Sequence, residues 1–180
     1  KIARLVKMGL EKKGLNVLGI LPYQKTLDMP TMREIKEWLK IDTFLTGEDL
    51  NLQIERILVG AMEVHDALKF IENNTMMIIP GDRFDMIQAV CQVNAGKLVK
   101  NCRVSGIVLS GGIMPEAETL NLLAASRIPT LLAKEDTYSV ALGVNSLIPK
   151  LRSQDTYKIE LIIDIVEKYV DIDKVLANLK

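Results

Sequence analysis

The 180-residue chain carries 23 basic and 23 acidic side chains, so its formal net charge is zero. That balance argues against nonspecific nucleic-acid binding, which needs clustered positive charge to displace counterions. A hydrophobic content of 48% is enough for one ordinary domain with appendages. Two cysteines without a CxxC spacing and a single histidine, His65, suggest neither a zinc site nor a disulfide framework.

The basic residues Lys12-Lys13 and Lys97, Lys100 and Arg103 are short groups, not a patch. No apolar run approaches the roughly 20 residues of a membrane span, and no signal-peptide pattern is seen. The expected compartment is the cytosol, with both cysteines reduced.

In chain order, "KIARLVKMGLEKKG" begins in helical rhythm, with Ile2, Leu5, Val6, Gly9 and Leu10 on one face, and stops at Gly14. A start without Met, already in mid-pattern, reads as a chain entered partway through a domain. "LNVLGIL" (15–21) predicts a short strand, and a helix is expected over 30–39 with Pro30 near its first turn. The polar stretch 40–51, with Gly47-Glu48-Asp49, reads as a linker.

An alternation follows. Strands are predicted at 54–60, "MMIIP" (76–80), "GIVLS" (106–110) and "IPTLLA" (128–133). Helices are predicted at 63–73, 84–99, 115–126 with Pro115 at N1, and 136–148 with Asp136 as N-cap. The strands are continuous apolar runs, as expected when both faces of a parallel sheet are covered. The pattern predicts an α/β domain with a mainly parallel sheet, flanked by helices in three layers. The C-terminal stretch carries an apolar stripe of Ile159, Ile162, Ile163, Val166, Tyr169 and Val170, extended by Val175, Leu176 and Leu179. It is expected to pack on its own domain or on a partner.

Ligands of such sheets bind beyond the carboxyl ends of the strands. Four loops are therefore comparable: Gly60-Ala61-Met62, Gly81-Asp82-Arg83, Ser110-Gly111-Gly112 and Glu135-Asp136-Thr137. The glycine pair either exposes backbone N–H groups to an anion or merely makes a tight turn. Arg83 either holds a phosphate or carboxylate or pairs with Asp82, Asp85 or Asp136, while Asp82 either orients a ribose or a neighbouring loop or caps the next helix. Asp136-Thr137 is most simply a cap with its neighbour, His65 a surface or helix-packing residue, and Trp38 a core anchor. "GLEKKGLN" (9–16) has Walker A glycine spacing, but Leu15-Asn16 stands where Lys-Ser/Thr is required. No nucleophile–histidine set is present, so no catalytic or metal-ligating residue is assigned.

The segments "GAMEVHDALKFI", "IIPGDRFDMIQAV", "GIVLSGGIMPEAETLNLL" and "IPTLLAKEDTYSVA" together resemble a DRTGG domain over residues 54–149. This module is found in the N-terminal region of phosphate acetyltransferases and in related dethiobiotin-synthetase-like proteins. It also lies between CBS repeats of some regulatory pyrophosphatases. The family's Asp-Arg and Thr-Gly-Gly elements match Asp82-Arg83 and Ser110-Gly111-Gly112, with Ser110 in place of Thr. Upstream, "VLGILPYQKTLDMPTMREIKEWL" is similar to the tail of the P-loop domain that precedes DRTGG in those proteins.

The resemblance implies a DRTGG-like α/β domain over 47–150. Residues 1–46 would be the remnant of a P-loop-type domain plus linker, and 151–180 a helical extension. It further implies a non-catalytic regulatory and oligomerisation module, expected to form a homodimer. No cofactor is assigned to this chain, and a nucleotide or other anionic metabolite is the ligand class expected at Gly60, Ala61, Met62, Asp82, Arg83, Ser110, Gly111, Gly112, Asp136 and Thr137. The alternative is a fragment of an ATP-dependent enzyme of the dethiobiotin-synthetase or cobyrinate-amidating type, with its P-loop outside this chain.

Overall fold

Four successive strands pair in chain order, one of the arrangements open to short apolar runs joined by amphipathic helices. The computed structural model describes residues 2–41, 43–46, 49–99, 102–153 and 155–177. Its chain forms two compact units, one of Met29–Pro149 and one of Lys1–Asp28 with Lys150–Lys180.

In the unit Met29–Pro149, the strands β2 (Arg56–Val59), β3 (Thr75–Pro80), β4 (Val104–Ser110) and β5 (Thr130–Leu132) are parallel neighbours. β1 (Thr43–Thr46) joins β5 antiparallel, giving the sheet order β1-β5-β4-β3-β2. The connecting helices are α3 (Val64–Ala67), α4 (Phe84–Asn94) and α5 (Ala117–Ser126). Because strand order follows chain order, right-handed crossovers put all three on one face. There Met77, Ile79, Ile107 and Leu109 of the strands pack with Met86, Ile87 and Val90 of α4 and Leu123 of α5. Side chains one residue along point to the opposite face. Met76, Ile78, Val108 and Leu131 accordingly meet Met32 and Ile35 of α2 (Met32–Trp38) and Val140 and Val144 of α6 (Thr137–Asn145). The expected three-layer α/β arrangement is what forms.

α2 is fixed to its face by several devices. Thr31 and Glu34 form a reciprocal capping box at its start. The Trp38 indole N–H donates to the Gly143 carbonyl of α6 (3.0 Å). Trp38 is 47% exposed, so it acts as a clasp at the rim and not as the core anchor expected. Met32 sits directly on Gly106 of β4, where an added Cβ would lie 2.2 Å from its sulfur.

The structure departs from the sequence reading at several points. Thr43–Thr46, placed in the linker, is the edge strand β1, and α2, assigned upstream of the boundary at 46, lies inside this compact unit. The helix expected over 63–73 stops at Ala67 and tightens into a 3-10 turn at Leu68–Phe70, because Asn74 at φ 57° must turn the chain into β3. Pro115 precedes the N-cap Glu116 and is not at N1. Gly47-Glu48, Lys100 and Leu179 lie outside the described residues.

The other unit contains α1 (Ile2–Lys12), a 3-10 turn at Lys25–Asp28, α7 (Thr156–Tyr169) and α8 (Ile172–Ala177). The strand expected at 15–21 does not form, because an apolar run becomes a strand only with a partner. Here only Gly19 bridges Val170, and the Asp171 N–H donates to the Leu18 carbonyl (2.8 Å). The buried apolar residue of α7 is Ile165, which the expected stripe did not include; of the stripe, Ile159, Ile162 and Val166 are half-buried, and Ile163 and Tyr169 are exposed.

Gly106→Ala is expected to destabilise the protein by about 1–3 kcal/mol through overpacking against Met32. Met32→Ala in the same chain should recover part of that loss. Denaturant melts of the two single variants and the double variant check this, and strict additivity would place Met32 elsewhere.

Candidate functional site

The four parallel strands end on one side of the sheet, so the loops after them line up in the spatial order β5, β4, β3, β2. Strand pairing continues past the named strands into these loops. The Gly60 N–H donates to the Ile78 carbonyl (2.8 Å) and the Gly81 N–H to the Ser110 carbonyl (3.2 Å). The Gly111 N–H donates to the Glu135 carbonyl (2.7 Å) and the Gly112 N–H to the Ala133 carbonyl (2.8 Å). Gly111 and Gly112 take φ of 85° and 65°, a left-handed path that favours glycine. Of the two sequence readings for this pair, the turn describes its geometry. Its amides are already engaged and do not point free toward an anion.

Side chains tie the loops together in pairs. The Ser110 and Thr137 hydroxyls lie 2.7 Å apart in a hydrogen bond joining the β4 and β5 loops. This bond needs only a hydroxyl at position 110, which either Ser or Thr supplies. Arg83 forks onto Asp85, with both N–O distances 2.8 Å, and its Nη2 also donates to the Met62 carbonyl of the β2 loop (3.4 Å). The pairing raises the guanidinium pKa, and the Arg83 hydrogen bond holds the Asp85 carboxyl below its ordinary value. Of the three partners considered for Arg83, Asp85 is the one bonded.

Asp82 does not cap α4. Arg83 occupies that N-cap position without a side-chain bond, and Asp82 is exposed. Asp136 does cap α6, accepting from the Tyr138 and Ser139 N–H groups (2.9 and 3.0 Å) and from the Ser139 hydroxyl (2.6 Å). Those bonds, the Ser139 hydroxyl first, keep its carboxyl below the ordinary range. Ala61 lies in the tight turn after β2, its N–H donating to the Val59 carbonyl (2.9 Å). His65 is exposed, with its ring nitrogens 3.6 Å from Glu63 and 3.2 Å from Asp66, as a surface residue should be. Burial pushes the Cys91 thiol pKa up.

One feature of this edge was not foreseen. A cleft of about 400 Å3 opens between the β3 and β4 loops, lined by Gly81, Asp82 and Phe84 on one side and by residues 113–116, 118 and 119 on the other. Gly81 is close-packed at its base, where an added Cβ would lie 2.1 Å from the Ile113 carbonyl oxygen. Glu116 and Glu118 read in sequence only as an acidic first helical turn. Thr119 gave no signal, since a threonine inside "EAETLNLL" looks like any other helical residue.

The comparisons with known proteins address the same region. The family model described as the DRTGG domain matches residues 34–147. A phosphate acetyltransferase of Synechocystis sp. is 33% identical over 167 residues, covering 91% of this chain and 24% of its own length. One of Nitratidesulfovibrio vulgaris is 27% identical over 155 residues, covering 84% of this chain and 22% of its own length. The chain thus spans less than a quarter of the length of these curated relatives. A crystal structure of the CBS and DRTGG domains of the regulatory region of Clostridium perfringens pyrophosphatase, complexed with the activator diadenosine tetraphosphate, superposes with a TM-score of 0.52. It is 17% identical and covers 89% of this chain and 69% of that one, a likeness of fold. Since the matched residues span the whole sheet from β2 to β5 and all four strand-end loops, the chain belongs to the DRTGG domain family.

Proposed function

We propose that this chain is a non-catalytic regulatory and oligomerisation module of a larger protein related to the phosphate acetyltransferases. The observation that carries the reading is the coupling of the strand-end loops. Ser110 is bonded to Thr137, Arg83 reaches Met62, and Gly81 and Gly111 are pinned to the loops beside them. A ligand or a neighbouring subunit that moves one loop therefore acts on the next, which is what a signalling edge requires. Residues of α1 and α7 add to the case for self-association, because Ile2, Leu5, Tyr157 and Ile163 are at least half exposed.

The ligand class proposed for the loops is a nucleotide or other anionic metabolite. The activator in the Clostridium perfringens structure favours it. Arg83 is the cation available among the proposed loop residues, and an incoming phosphate would take it in exchange for Asp85. The second reading is a fragment of an ATP-dependent enzyme of the dethiobiotin-synthetase type. Under it, residues 1–46 would close a P-loop-type domain, 47–150 would be its DRTGG accessory and 151–180 a helical extension.

The isolated chain is expected to hydrolyse ATP no faster than buffer; turnover well above background in a pure sample favours the second reading. Light scattering at micromolar concentration should give the mass of a homo-oligomer, and a monomer counts against the assembly role. In a thermal-shift screen of nucleotides and acyl phosphates, at least one compound should stabilise the protein and lose its effect in Arg83→Ala. Hits that all survive that substitution make the Asp82-Arg83 loop purely structural.

A further inference from the structure

The cleft between the β3 and β4 loops has a chemistry opposite to that of an anion site. Its charged wall residues are all carboxylates: Asp82 from the β3 loop, and Glu116 and Glu118 from the start of α5. Arg83, the cation next in sequence, is turned away onto Asp85. The helix macrodipole accounts for acidic residues in the first turn of α5. It does not account for Thr119. That residue is only 5% exposed and lines the cleft, yet its hydroxyl has no hydrogen-bond partner among the described residues. No buried side-chain oxygen or nitrogen in the described residues is left unsatisfied, so the Thr119 hydroxyl is not sealed in the core, and the cleft is the space that Thr119 lines. A hydroxyl in that position is ready for a polar group from outside.

A metal ion does not suit these groups. Among the described residues, no three His, Cys, Asp or Glu side chains come together closely enough to hold one. The carboxylates approach from two sides, and between them stand apolar walls of Phe84, Ile113 and Met114, which are 40%, 42% and 53% exposed. Charge selects a cation, the volume admits an organic one, and the apolar walls ask for carbon. An aromatic face is also a good neighbour for an ammonium group.

We propose that the cleft between the β3 and β4 loops binds a small organic ammonium with an apolar body. Its ammonium lies in the negative field of Asp82, Glu116 and Glu118 and donates to the Thr119 hydroxyl, while its body lies on Phe84, Ile113 and Met114. Asp82 is shared with the loop that carries Arg83, but Arg83 does not line the cleft, so substitutions at Glu116, Glu118 and Thr119 test this site apart from the nucleotide reading.

Amide NMR titration of the whole chain tests it, with 2-phenylethylamine as probe and 3-phenylpropanoate as the anionic counterpart of similar shape. The amine should shift residues around Phe84, Met114 and Thr119 saturably below about 10 mM, while the anion should not. The double substitution Glu116→Gln with Glu118→Gln should weaken the amine about tenfold or more. Thr119→Val, which keeps the shape and removes the hydroxyl, should weaken it about three- to tenfold, and Thr119→Ser should restore binding. The proposal is overturned if the amine fails to saturate, if the anion binds equally well, or if affinity is unchanged by the paired Gln substitutions or by Thr119→Val.

Discussion

A parallel sheet whose strands lie side by side in chain order sends every right-handed crossover to the same face. That constraint governs this protein. With β2, β3, β4 and β5 in sequence, α3, α4 and α5 have one face to themselves. The opposite face, with Met76, Ile78, Val108 and Leu131, would be bare hydrocarbon without cover from outside the alternation. α2, which precedes the sheet, and α6, which follows it, supply that cover. Their contact with each other, through Trp38 and Gly143, closes the layer.

The same constraint builds the loop edge. Parallel strands end together, so residues scattered along the chain meet on one side of the sheet. Strand pairing running on into the loops then uses the glycine amides that an anion would otherwise take. The edge gains rigidity and gives up backbone donors. What is left for recognition is carried by side chains: a guanidinium held by Asp85, a hydroxyl pair between Ser110 and Thr137, and the carboxylates around the cleft.

Charge along the edge is consequently uneven. Toward β2, Arg83 and Asp85 neutralise each other and the arginine spans to the neighbouring loop. Between β3 and β4 the wall is acidic, with apolar side chains exposed beside it. The side-chain character changes over a short stretch of one surface, because each loop contributes its own side chains to a common backbone platform.

The parallel strands and their helices were legible in the sequence because each strand is a continuous apolar run, and burial on both faces leaves that mark. Asp136 was legible as a cap because capping is a local matter of a few residues. The linker reading of 40–51 missed β1, since a short strand with polar neighbours takes its identity from β5 far along the chain. The run at 15–21 failed for the converse reason, being apolar enough for a strand but meeting a partner only at Gly19. The alternation, the loops that could meet and the residue types available there can be read along the chain. Packing across the sheet settles the rest: which amides are engaged, that Arg83 turns to Asp85, and that Thr119 lines a cleft with Glu116 and Glu118. Those outcomes depend on how backbones approach across the sheet, and the order of residues along one chain does not specify that.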